Sequence, residues 1–283
     1  MEKVKILVAC HKPGKVYQDE VYTPIHVGRA ISNYKDEMAE MIGDDTGDNI
    51  SDKNPMYCEL TAQYWAWKNL PDVEYIGFCH YRRYFYMDCN QQTVENLLRH
   101  HDVITLKYYY DHPMWREMVH FISVEDLTIL MMVIKQKYPE YEKTMLDYLY
   151  GNVFYPKNML ICKKEFFDQY AEWLFDVLMT CEKYIKPSPY TRGRRTLAYM
   201  GEYLLTIYLL HHQCRVKTVG WGGFVGLHHK DSWRTKLIHR YWSVNQKILN
   251  RLQRRPKSFE AFYLPEVMVG FQQDGLIISE ESL

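Results

Sequence analysis

The chain has 283 residues, 47% of them hydrophobic, and its 35 Lys and Arg are balanced by 35 Asp and Glu. That is enough apolar material for one large domain, or one domain with a small appendage, and it excludes a disordered chain. The zero formal charge excludes general recruitment of nucleic acid by a basic field, so any basic function must come from a local cluster.

The seven cysteines are scattered and form no Cys-x-x-Cys pair, which argues against a disulfide framework or a zinc finger and points to a reducing cytoplasm. The opening "MEKVKILVACHKP" has too short an apolar run for a secretory signal, and no run approaches the roughly 18 apolar residues of a membrane span. The expectation is a soluble protein, at most attached to a membrane surface.

In chain order, "KVKILVAC" reads as a buried strand ended by Pro13 and Gly14. A helix is expected around Ile25 to Ile31. "GDDTGDNISDKNP", Gly43 to Pro55, is a long polar loop, a kind that is usually functional or disordered. Leu60, Tyr64 and Trp67 then share one face of a helix spanning Tyr57 to Leu70, stopped by Pro71 and Asp72. Tyr75 to Cys79 follows as a second buried strand, and this alternation predicts an α/β layered domain.

Further on, a helix leads into a strand at Asp102 to Leu106. Ser123 is an N-cap, with Asp126 completing a capping-box variant ahead of an amphipathic helix that runs to Pro139. A strand around Met159 to Cys162 precedes a helix from Lys164 to Leu178. "RRTLAYMGEYLLTIYLLHH" reads as another helix and Arg215 to Gly220 as a last strand. From Ser232 to Phe259 there are eight Lys or Arg and no acid, with Leu237, Tyr241, Val244, Ile248 and Leu252 at helical spacing. This is a basic amphipathic helix, suited to a solvated face, an RNA contact or anionic lipid, and the overall neutrality disfavours nucleic acid.

Ligands in open α/β sheets sit beyond the carboxyl ends of the strands. His11 and Lys12 after one strand, with His80, Arg82 and Arg83 after another, would line a cationic site suited to a diphosphate. The structural alternative is a set of ion pairs at a strand end. Asp44, Asp45 and Asp48 read either as holders of a cation or of nucleoside hydroxyls, or as ordinary turn residues, which the spacing favours. The pairs His211-His212 and His228-His229 lack ligand spacing and a carboxylate partner. Glu202, opening an apolar helical run, reads equally as a first-turn charge or as a partly desolvated general base. Trp221, in the glycine-rich "GWGGFVG", is a candidate ligand wall.

"GDNISDKNPMYCELTAQYWAWKN" followed by "YIGFCHYRRYF", with "GNVFYPKNMLI" and a late "GEYLLTIYL", resembles bacterial capsular and exopolysaccharide glycosyltransferases of an uncharacterised-domain type that carry a His-Tyr-Arg-Arg-Tyr signature. The resemblance covers roughly residues 3 to 230. It implies a GT-A-like fold: a Rossmann-type mixed α/β sheet flanked by helices, as one domain over residues 1–230, with residues 231–283 as a basic amphipathic helix and tail. It implies a UDP-sugar donor, with galactofuranose or another hexose transferred to a glycan or lipid-linked oligosaccharide acceptor by a cytoplasmic, membrane-peripheral enzyme. A catalytically silent binder of nucleotide sugars or glycans on the same fold is the alternative, and a phosphotransferase acting on a capsule precursor a more distant one.

On the same resemblance, donor contacts fall on Lys5 to Lys12, on Lys53 and Asn54, and on the end of the strand Tyr75 to Cys79. There the Asp-x-Asp that holds Mn or Mg in GT-A enzymes is replaced by His80, Tyr81 and Arg82. Arg82 and Arg83 would then carry the charge that a cation otherwise neutralises. The expectation is that no metal is required, with Asp44, Asp45 or Asp48 as the first places to look for Mn or Mg if one is. Asp48 is also counted among the donor contacts. Glu202 falls where inverting relatives carry the general base, and Asn152, Asn158 and Trp221 are expected to meet sugars.

Overall fold

The structure, a computed structural model, describes residues 3–225, 232–252 and 256–279. In chain order its regular elements are β1 (Val4–Cys10), β2 (Tyr22–His26), β3 (Ile42–Gly43), α1 (Asn54–Tyr57), α2 (Leu60–Asn69), β4 (Tyr75–His80), β5 (Tyr84–Phe85), α3 (Gln91–Leu98) and β6 (Val103–Thr105). There follow β7 (Tyr108–Tyr109), α4 (Met114–Met118), α5 (Val124–Lys137), α6 (Glu142–Leu149), β8 (Val153–Phe154), β9 (Leu160–Lys163) and α7 (Lys164–Glu182). The chain closes with α8 (Thr196–His211), β10 (Val216–Thr218), β11 (Trp221–Gly222), α9 (Trp233–Leu252) and α10 (Pro265–Gln273).

Contact density divides the chain into two compact units. One comprises Met1–Lys107, Tyr155–Trp173 and His212–Lys230, the other Tyr108–Phe154, Leu174–His211 and Asp231–Leu283.

The first unit is built on a seven-stranded sheet of order β10-β6-β9-β4-β1-β2-β3. Strands β1, β2, β3 and β4 run parallel, as do β6 and β10, and β9 is antiparallel to both of its neighbours. The expected mixed, mostly parallel α/β sheet is therefore present. Both faces are covered, which is why β1 and β4 read as continuous apolar runs rather than alternating ones. On one face Ile6, Val8, Ile104 and Ile161 pack with Val94 and Leu98 of α3. On the other, Phe78 meets Phe167 of α7, ring centroids 4.9 Å apart. Gly77 sits at the crossing of three strands: a Cβ there would lie 2.9 Å from Ile161 and 3.0 Å from Ile6, so a side chain would part β4 from its neighbours.

The helix expected around Ile25 to Ile31 is instead β2 followed by a single 3-10 turn at Arg29–Ile31. Val21, Thr23, Ile25 and Val27 are β-branched and pair readily along β1, in the register Ile6 with Tyr22 through Cys10 with His26. Gly28, at φ +67°, then turns the chain away. The helices read over Tyr57 to Leu70, from Ser123, from Lys164 and over Arg194 to His212 are found as Leu60–Asn69, Val124–Lys137, Lys164–Glu182 and Thr196–His211. Ser123 Oγ accepts the Asp126 N–H at 3.0 Å, the N-cap the sequence called for. All seven cysteines carry free thiols.

In the second unit, β7 and β8 form a short antiparallel ribbon, and α8 is buried along most of its length. Phe154 stacks on Tyr203 at 5.2 Å, and Thr196 Oγ1 donates to Asp126 Oδ2 at 2.9 Å. His211 stacks on Tyr141 at 3.7 Å, a packing role. His228 and His229 lie outside the described residues. On α9, His239 and Trp242 face inward, with His239 5.9 Å from the Tyr109 ring, while Trp233, Leu237, Tyr241, Val244 and Ile248 are exposed. No helix among the described residues is long and apolar enough to cross a membrane.

Candidate functional site

Four parallel strands of the first unit end on the same side of the sheet, so their following loops share one edge. The His11 ring, after β1, meets the edge of Tyr81, after β4, at 5.5 Å, and the Tyr81 N–H reaches the Ala9 carbonyl at 3.3 Å. The two loops that the strand rule assigns to one crevice are thus in contact. Lys12 is exposed beside them.

After β4 the chain reverses at once. His80 and Arg83 bridge through paired backbone hydrogen bonds, the His80 carbonyl accepting the Arg83 N–H at 2.8 Å and the Arg83 carbonyl accepting the His80 N–H at 3.2 Å. The reversal sends the adjacent arginines in different directions. Arg82 is exposed and folds over the Tyr81 ring, 4.7 Å from its centroid. Arg83 is half-buried. Strand β5, which follows it directly, pairs with β11, Phe85 opposite Trp221 and Tyr84 opposite Gly222. That pairing sets the Trp221 indole 5.8 Å from the Arg83 guanidinium carbon. Neither arginine is held by a carboxylate among the described residues.

Three residues that the sequence reading did not single out complete this region. Lys157 carries its ammonium 4.9 Å from the same Trp221 ring. Glu59, at the start of α2, accepts from Asn158 Nδ2 at 2.8 Å. Gln63, one turn further on, donates to the Asn158 carbonyl at 2.9 Å. His80 Nε2 donates to the Lys157 carbonyl at 2.8 Å. Burial holds the His80 imidazole below its ordinary pKa, against the opposing pull of the Glu59 charge. The one signal in the sequence for this cluster is "PKN" between two strand patterns, because Asn tolerates left-handed backbone.

The Asp-rich loop has a structural function in the first unit. Asp44 is fully buried and accepts the N–H groups of Gly28 and Arg29, at 2.8 and 3.1 Å, and the Ser51 hydroxyl at 2.5 Å. Asp45 pairs with Arg29 at 3.4 Å. Asp48 is exposed and accepts from the Tyr64 hydroxyl at 3.1 Å. Asn54 donates to the Cys58 carbonyl at 2.8 Å and to Thr61 Oγ1 at 3.2 Å, while Lys53 is half-buried at the preceding turn. No cluster of three or more His, Cys, Asp or Glu positioned for a metal occurs among the described residues. Arg83, Lys157 and a Trp wall form a donor set suited to an anion rather than to a divalent cation. A separate hollow of about 630 Å³ beside Trp67, Glu74, Lys164 and Asp168 opens at the amino end of β4, the opposite end from these residues.

Two further candidates belong to the second unit. Glu202 is half-buried in the first half of α8. Tyr110, near it in charge, has its phenol pushed well up by burial and by the Glu117 carboxylate, with a smaller push from Glu202. Tyr203 is raised in the same way, burial first and Glu202 next. Asn152 is buried and donates to the Tyr110 carbonyl at 2.8 Å and to the Trp242 carbonyl at 3.3 Å, which ties the β7–β8 ribbon to α9.

A mostly parallel sheet with cations, amides and an indole at its carboxyl edge defines an α/β protein whose basic side chains gather where such folds take their ligands. Residues 5–213 match the family described as Domain of unknown function (DUF4422), and the chain belongs to that family. No curated protein matches it. Among solved structures, the chain is similar to one described as the WbbM bifunctional glycosyltransferase in its apo form, with 29% sequence identity, a TM-score of 0.72 and 79% of this chain covered. The match spans 45% of that protein's length.

Proposed function

We propose that the protein is a glycosyltransferase that moves a sugar, galactofuranose or another hexose, from a UDP-sugar to a polysaccharide-precursor glycan with inversion. The observation that carries the reading is Arg83, delivered by the β4 reversal to the face of Trp221 at the sheet edge where α/β folds take their ligands. A guanidinium there can stabilise the charge that develops as a nucleoside diphosphate departs, the part a divalent cation plays in other transferases. The likeness to a bifunctional glycosyltransferase supports the class of reaction.

In this reading Glu202 takes the proton of the acceptor hydroxyl as that oxygen attacks the anomeric carbon. Its half-buried place in the first half of α8 leaves the carboxylate at the start of a largely apolar helical run, the setting in which a side chain can serve as a general base. The outward apolar stripe of α9, with exposed Arg234, Lys236 and Arg240 alongside it, suits attachment to an anionic membrane at its cytoplasmic face, where a lipid-linked acceptor would be met.

The test is incubation of the purified chain with a panel of UDP-hexoses, UDP-galactofuranose included, with release of UDP as the readout. A transferase releases UDP slowly without acceptor and faster with it. A chain that binds UDP-sugar yet never releases UDP is the silent binder instead.

A further inference from the structure

Lys157 and Asn158 both adopt left-handed backbone, at φ 72° and 51°. For lysine such a conformation is unfavourable and persists only where the surroundings impose it. Here the surroundings can be named. His80, at the tip of β4, holds the Lys157 carbonyl at 2.8 Å. Glu59 and Gln63, on one face of the start of α2, hold the Asn158 side-chain amide and backbone carbonyl at 2.8 and 2.9 Å. Cys58, directly before Glu59, is itself left-handed at φ 48°. Positive-φ residues other than glycine number four among those described, and three of them meet at this one spot.

The strained loop leaves the Lys157 ammonium 4.9 Å from the Trp221 ring centroid, with the Arg83 guanidinium 5.8 Å from the same centroid. Both cations thus stand at one indole at the carboxyl edge of the sheet, where α/β folds take their ligands. The geometry points to Lys157 as a second diphosphate-binding cation that closes a clamp with Arg83 against the Trp221 wall, with His80, Glu59 and Gln63 as positioning residues that hold its backbone. This inference rests on the reading of the site as one for a nucleoside diphosphate, and it adds a residue to that site. In it, His80 acts through Lys157 rather than on phosphate directly.

The experiment is calorimetric titration of the full chain with UDP and, separately, with uridine. Lys157→Asn is the informative variant, since asparagine accepts the left-handed backbone while removing the long side chain and its ammonium. Its UDP affinity is expected to fall about tenfold or more while uridine affinity stays within about twofold, and Lys157→Arg should keep most of the UDP affinity. His80→Asn should lower UDP affinity alone in the same way, and should add little when combined with Lys157→Asn. If the unaltered chain binds uridine as well as it binds UDP, or binds neither, the nucleoside diphosphate reading itself is lost. If the unaltered chain prefers UDP and Lys157→Asn keeps that preference, the reading stands and the clamp is overturned. If His80→Asn and Lys157→Asn weaken UDP additively, the positioning role of His80 is overturned.

Discussion

Asp44 holds Gly28 by accepting its backbone N–H at 2.8 Å, and so pins the turn after β2 to the loop after β3. The same carboxylate takes Arg29 N–H and the Ser51 hydroxyl, so one buried side chain organises three segments at the carboxyl edge of the sheet. Asp44→Ala would leave these donors without a charged acceptor, and hydrogen bonds to charged groups contribute about 1.5–3 kcal/mol each. Allowing for relaxation and water entry, the expected loss is about 2–4 kcal/mol in urea unfolding. Gly28→Ala should also destabilise, because its Cβ would stand 2.7 Å from Asn54 Cγ on a backbone at φ +67°. A stability within a few tenths of a kcal/mol of the parent for both variants would remove this account of the loop.

The diverging arginines predict unequal losses. Arg83→Met should weaken UDP binding about tenfold or more, since it removes a half-buried guanidinium at the Trp221 face. Arg82→Met, at an exposed side chain lying on Tyr81, should change it by no more than about threefold. Equal losses, or the reverse order, would show that the side chains do not divide the work in this way. Titration calorimetry decides it.

If Glu202 is the base, Glu202→Gln lowers turnover by about two to four orders of magnitude, the usual scale for a lost general base, while UDP affinity is kept. Single-turnover transfer with a competent acceptor is the measurement. Unchanged turnover dismisses the role, and Glu117 then becomes the next carboxylate to replace.

Stability should fall in mild acid. His26 and His80 are both held below the ordinary imidazole pKa, each first by burial and each with a carboxylate, Asp44 or Glu59, pulling the other way. A base depressed in the folded chain means that the unfolded chain binds more protons once the pH drops below about 6.5. The native state therefore loses ground from about pH 6.5 downward until the folded imidazoles themselves titrate, and shows no dependence from these groups above it. Melting temperatures from pH 7.5 to 5 should trace this, and His80→Gln should flatten part of the slope. A slope unchanged in that variant would exclude His80 as a contributor.

The exposed face of α9 predicts binding to anionic vesicles at low salt and little binding to zwitterionic ones, since apolar burial and lysine–lipid attraction act together there. Tyr241→Glu combined with Ile248→Glu, both exposed, should abolish it in a flotation assay without lowering the melting temperature. Equal binding to neutral and anionic vesicles, or none to either, would count against this surface.

Much of the sheet edge was legible before any coordinates. Two apolar runs of strand length, each ending in His and basic residues, place His11 and His80 at one crevice by the strand rule, and the His11–Tyr81 contact lies there. The stretch from Ile25 to Ile31, expected as a helix, carries no local mark that separates strand from helix, and only pairing with β1 resolves its start as strand. Lys157 was passed over because nothing local marks a lysine as left-handed.

By itself the sequence determined where β1 and β4 run and which residues stand at their ends, because burial on both faces of a parallel sheet demands continuous apolar runs. It also determined the acid-free basic helix, since charge pattern and period are properties of the chain alone. Only the tertiary structure decided that Arg82 and Arg83 part company, that Asp44 serves the loop around it, and that Lys157 shares an indole with Arg83. Side-chain direction and contacts between residues 77 to 99 positions apart, such as His80 with Lys157 and Glu59 with Asn158, depend on how distant strands pair. Pairing is a property of the whole fold and of no local stretch.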